Sequence, residues 1–95
     1  MLKLTEIKIS REKENHLRDL ISRQEALREI LLRQGIRTCE DPDSLLLTAN
    51  FFFHVEDYTK WLEYNERIID EFPYSKACMQ VGENLRFVKE NCIVN

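Results

Sequence analysis

The sequence predicts an all-α fold, a small antiparallel helical bundle in which a long N-terminal helix precedes a helical hairpin. Three observations carry this. Only two glycines and two prolines punctuate 95 residues, far too few for the many turns of an all-β chain. Apolar residues recur at three- and four-residue steps over several long stretches. Residues 45–55, LLLTANFFFHV, are apolar almost all round a helix, in a chain of which 33% is charged. A helix with one buried face would be apolar at about half its positions. This one therefore predicts cover on two sides, by neighbouring helices or by another subunit.

Taken in order, residues 1–9 form a short lead-in whose β-branched Ile7 and Ile9 favour extended backbone. Ser10 offers an N-cap to a helix over 10–34, and Gly35 stands where a left-handed C-terminal residue is usual. Leu17, Leu20, Leu27 and Leu31 fit a short heptad seam with Gln24 at the intervening core place. Residues 36–43, IRTCEDPD, connect to a helix over 44–55 that Asp43 is placed to cap. Glu56 and Asp57 lead to a helix over 58–72, whose stripe runs through Tyr58, Trp61, Leu62, Ile68, Ile69 and Phe72, with Asn65 in its middle. Pro73 ends it. Ser75 caps the last helix, 76–91, whose apolar stripe holds Ala77, Cys78, Val81, Leu85 and Val88 and reaches Cys92. Connections this short predict antiparallel neighbours.

Length and composition suit a single domain over 1–95. The start, MLKLTEIKIS, is broken by Lys3, Glu6 and Lys8 and lacks the apolar run of a signal peptide. Cys39, Cys78 and Cys92 are odd in number and widely spaced, which suits reduced thiols and predicts a cytoplasmic protein. Charge is uneven: residues 1–37 carry a net +3 and the remainder a net −6, so a basic arm and an acidic body can attract, within one chain or between two.

DYTKWLEYNERIIDEFPYSKA, residues 57–77, resembles the second helix of a tetratricopeptide repeat, in the variety found in bacterial envelope-assembly lipoproteins and related scaffolds. Asp57, Tyr58, Ile68, Ile69, Phe72, Pro73 and Ser75 stand in that pattern's places. Upstream, Ala49 takes the small position at the helix crossing, followed by Phe52 and Phe53. Downstream, Met79, Val81 and Gly82 resemble the start of another first helix. The likeness covers about one and a half repeats, over 43–88, and departs from the pattern at Trp61, where a small residue is usual, and at Asn65, where an aromatic is usual.

The resemblance implies a groove lined by the first helix of the repeat, with Asp43, Leu46, Asn50 and Phe53 facing it. Asn50 would hold a peptide backbone, while Leu46 in place of a lysine argues against a carboxylate clamp and for an apolar peptide or partner helix. Trp61 and Tyr58 are the expected anchors to a neighbouring molecule, because a large indole in a small residue's place needs a pocket elsewhere. The plain alternatives are that Asn50 is a surface amide and the aromatics are core.

Chemistry of other kinds has no pattern here. No Cys or His pair has zinc spacing, neither glycine has a companion for a phosphate loop, and Glu63, Glu66, Asp70 and Glu71 read as a solvated helix face. The expectation is a non-enzymatic protein–protein interaction module, an adaptor or small regulatory subunit, self-associating and without metal or cofactor. A second resemblance, of EIKIS and SRQEALREILLRQG to ribbon-helix-helix regulators, implies a dimeric DNA-binding protein using residues 5–34, with Glu6, Lys8 and Ser10 towards DNA and Ser22 opening a second helix. The arginines at 18, 23, 28 and 33 spiral around a helix rather than forming a stripe, which weakens the nucleic-acid reading.

Overall fold

A computed structural model describes residues 7–34 and 42–94, with the backbone alone at Leu31 and Gln34. Residues 1–6 of the lead-in, the connection over 36–41 with Cys39, Gly35 and the side chain of Leu31 lie outside the described residues. The chain is mostly helical. In order it forms β1 (Ile7–Ile9), α1 (Arg11–Gln34), α2 (Asp43–His54), α3 (Tyr58–Glu71), α4 (Lys76–Asn91) and β2 (Cys92–Val94).

Local chemistry accounts for most helix ends. Ser10 Oγ accepts from Lys13 N at 3.3 Å, Asp57 Oδ1 from Lys60 N at 3.2 Å and Ser75 Oγ from Cys78 N at 3.1 Å. Each cap occupies one of the amides that the first turn leaves free. Asp43 is not a cap: Pro42 takes that place, no side chain bonds there, and Asp43 is the first residue of α2. Pro lacks only an N–H, and its carbonyl receives Leu45 N and Leu46 N, so the turn closes without a side-chain acceptor.

The link from α2 to α3 is set by Glu56, which adopts φ 62. Glu56 N donates to Phe53 O and Asp57 N to Phe52 O, the paired bonds of a Schellman ending. Glycine usually takes this left-handed place, and a Cβ there costs about 1 kcal/mol.

Two strands depart from the all-α expectation. β2 pairs with β1 in parallel, Ile7 opposite Cys92 and Ile9 opposite Val94, so the two ends of the described chain are clasped together. Cys92 consequently begins a strand and is not part of the stripe of α4. Ile7 and Ile9 point inward and Lys8 outward. Three-residue strands are marginal by themselves; here the buried isoleucines tie them to the main core.

The buried side chains form one cluster drawn from β1 and all four helices. α3 packs against both α2 and α1, and α4 against α1 and α3, while α2 meets α4 only at its margin. α1, about 36 Å long at 1.5 Å per residue, spans nearly the whole 39 Å length of the molecule. It buries Leu17, Leu20, Ile21 and Gln24 and leaves Ile30 and Leu32 exposed. Where α1 crosses α4, Gln24 lies over Gly82: a methyl group on Gly82 would overlap the Gln24 carboxamide. Gln24 Nε2 donates to Cys78 O at 3.2 Å, so the polar residue in the seam is tied to the backbone of α4.

The charge asymmetry is partly resolved within the chain. Arg23 on α1 reaches Glu66 at 2.7 Å and Asp70 at 3.1 Å on α3, and Glu25 faces Arg86 of α4 at 3.6 Å. α1 also runs unbroken through Ser22, where a ribbon-helix-helix chain would turn into its second helix. Arg18 pairs with Glu14 and Arg33 with Glu29, so acids offset these arginines locally. Among the described residues, no helix is long and apolar enough to cross a membrane.

Candidate groove between the second and fourth helices

A depression of about 240 Å³ opens between α2 and α4 over α3. Asn50, Phe53 and His54 form its wall on α2; Gln80, Asn84 and Phe87 form the wall on α4. Trp61 and Val88, each 2% exposed, lie at the base. The spacing explains the walls. Positions 50, 53 and 54 on one helix, and 80, 84 and 87 on the other, each fall on one face at three- and four-residue steps.

The groove is aromatic below and amide-lined above. Phe53 sits 5.5 Å from Trp61 and 5.8 Å from Tyr58, ring centre to ring centre, and Tyr58 meets it edge to face. On the α4 wall Gln80 Nε2 donates to Asn84 Oδ1 at 2.9 Å, which orients both amides. Among the described residues, no lysine, arginine, aspartate or glutamate lines it. Burial, then Glu56, push the Tyr58 hydroxyl pKa upward, so the phenol stays protonated.

Of the residues the sequence singled out, Asn50, Phe53 and Trp61 meet at this groove. Leu46 is half-buried against the core and is not among the lining residues, because its position on α2 turns it toward the interior. Tyr58 is half-buried behind Phe53. Trp61 does not project to a neighbouring molecule: its indole is inside the chain, and the pocket it needs is supplied by Phe53 and its own core. Sequence reasoning passed over Gln80, Asn84 and Phe87. Their spacing was visible, yet only contact between α2 and α4 makes that face a wall.

Asn65, the other departure from the repeat pattern, is fully buried, and among the described residues neither its Nδ2 nor its Oδ1 meets a hydrogen-bond partner. Cys78 is buried, and desolvation pushes its thiol pKa to about 11, so it stays a neutral, packed group rather than a nucleophile. Burial also raises the pKa of Cys92. Among the described residues no group of three or more His, Cys, Asp or Glu is arranged to hold a metal ion.

No family model, no curated protein and no solved structure matches the chain.

Proposed function

We propose that the protein is a non-enzymatic interaction module, an adaptor or small regulatory subunit. In this reading α2 and α3 form a tetratricopeptide-like hairpin within an antiparallel bundle, and α4 begins a further half-repeat. The module captures an uncharged, largely apolar peptide segment in the α2–α4 groove and associates with copies of itself in the cytoplasm. The observation that carries the reading is the lining: three carboxamides and an imidazole around an aromatic base, with no lysine, arginine, aspartate or glutamate among the described residues. Amides both donate and accept, as peptide groups do, while Phe53 and Phe87, backed by buried Trp61, offer an apolar surface to a side chain.

Trp61 is the only tryptophan, so its fluorescence reports on the groove. Peptides selected from a displayed random library on the full chain should shift that fluorescence on binding. Asn50→Ala and Phe87→Ala should each weaken them about tenfold, the loss of roughly 1.4 kcal/mol, without lowering the melting temperature appreciably. Selected peptides that bind both variants as tightly as the parent would sink the groove reading.

A further inference from the structure

Two carboxamides are closed off inside the bundle, Gln24 on α1 and Asn65 on α3, each 0% exposed. Buried Trp61, Leu62, Ile68 and Ile69 lie one turn before and after Asn65 on its own helix. The bond from Gln24 Nε2 to Cys78 O fixes which end of that amide is oxygen. Gln24 Oε1, Asn65 Oδ1 and Asn65 Nδ2 are then left buried with no hydrogen-bond partner among the described residues. Arg23 Nε shares that condition, but it has the Asp19 carboxylate at 3.4 Å. Unpaired buried amide atoms are costly, and native cores rarely keep them unmet.

The contacts between α1 and α3 bring the two amides together. Arg23 reaches Glu66 and Asp70. Farther along α1, Leu27 and Ile30 share a surface hollow with Ile69 and Pro73, so the two helices advance in the same direction. Gln24 follows Arg23 in the chain, and Asn65 precedes Glu66. On helices advancing together, one step forward on the first and one step back on the second turn toward the same side of the pair. The Arg23 and Glu66 side chains are each 36% exposed, whereas Gln24 and Asn65 are fully buried, so that shared side is the interior. There Gln24 lies over Cys78 and Gly82 of α4.

We propose that Gln24 and Asn65 hold one internal water molecule where α1 and α3 meet α4. The hydrogen-bond count closes on a single molecule. Its two hydrogens go to Gln24 Oε1 and Asn65 Oδ1, and a lone pair takes the Asn65 Nδ2–H on the side of Oδ1. All three atoms are met, and three bonds is the usual complement of a buried water. A direct bond from Asn65 Nδ2 to Gln24 Oε1 would leave Asn65 Oδ1 without a donor. Neither residue lines the groove or the hollow beside Arg23, which suits a guest no larger than water. Through Gln24 and its bond to Cys78 O, the water links three helices at one level. A satisfied polar contact of this kind fixes one register of α1 on α3 and α4, where apolar side chains alone tolerate sliding. The site stands apart from the groove and from self-association.

Nuclear magnetic resonance on the full chain tests this first. The Asn65 side-chain amide protons should show cross-relaxation with a water held for longer than the molecule takes to tumble. A high-resolution crystal structure should place one water within about 3.2 Å of Gln24 Oε1, Asn65 Oδ1 and Asn65 Nδ2. Asn65→Leu, close to the same size, should abolish the cross-relaxation. It should also raise the unfolding equilibrium constant about tenfold more in the parent than in a Gln24→Met background, because only the parent is left with an unmet Gln24 oxygen. An Asn65 amide without cross-relaxation to water overturns the proposal, as does a protein group from any part of the chain bonded there instead. Separate waters on the two amides, or equal effects of Asn65→Leu in both folded backgrounds, would show that the residues share no guest and overturn it too. If either variant fails to fold, the spectra and crystals of the parent decide.

Discussion

α2 and α4 each carry seven apolar residues, α2 within twelve positions and α4 within sixteen. α2 is the more apolar helix, yet it buries only Ala49. α4 buries Ala77, Cys78, Val81, Leu85 and Val88, with Gly82 among them. The difference lies in neighbours. α4 has α1 on one side and α3 on another, so its narrow stripe is fully enclosed. α2 rests mainly on α3 and lies at the edge of the bundle. Hydrophobicity states how much surface a helix would gain by being covered; it does not state that the chain has anything to cover it with. Where supply runs short, the excess stays exposed, as at Leu47, Phe51 and Val55, or becomes the groove wall.

The largest test of this contrast is a matched pair of truncations, measured by urea unfolding at concentrations where the chain is monomeric. Leu85→Ala, at a fully buried site, should cost about 3 kcal/mol through lost transfer energy and a residual cavity. Leu47→Ala, on the more apolar helix, should change stability by less than about 0.5 kcal/mol. Equal losses would mean that α2 is covered within the monomer, and the contrast would fail.

A second test concerns why α4 is enclosed so tightly. Gly82→Ala raises helix propensity by about 1 kcal/mol, but its methyl must displace the buried Gln24 amide from Cys78 O. The net expectation is a loss of about 1–2 kcal/mol, since overpacking a close contact costs more than propensity returns. Placed on Gln24→Ala, the same substitution should change sign and stabilise by about 0.5–1 kcal/mol. A Gly82→Ala effect that is the same in both backgrounds would show that Gln24 does not set the approach of α1 to α4.

The smallest effect lies at the end of α2. Glu56→Gly should stabilise by roughly 0.5–1 kcal/mol, because glycine occupies φ 62 without the penalty that glutamate bears. The gain is reduced by the greater freedom of glycine in the unfolded chain. Destabilisation by Glu56→Gly would mean that the side chain itself contributes to the link between α2 and α3.

Much of this was legible in the sequence because it depends on residues close in the chain. Ser10 and Ser75 cap the helices they precede, Pro73 follows α3, and the stripe of α4 is inward throughout. Each rests on hydrogen bonds or periodicities within a few residues. Asp43 was misread because a proline carbonyl can close a first turn as well as a capping side chain does. Glu56 was not readable as a helix terminator, since only glycine or asparagine announces that conformation. Trp61 was expected at a surface because a repeat pattern keeps its place small; whether an indole fits indoors depends on the room that Phe53 leaves it.

The sequence by itself determined four helices, where most of them begin and end, and the apolar surplus of α2, since backbone preference and side-chain period are local properties. Tertiary structure alone decided that Ile7–Ile9 pairs with Cys92–Val94, that Gln24 meets Gly82, and that Asn50 and Phe53 face Gln80, Asn84 and Phe87 across one groove. These contacts join residues tens of positions apart, and no local pattern encodes them. They arise when helices of fixed length compete to cover one another, and α2, richest in apolar side chains, is left with an open face.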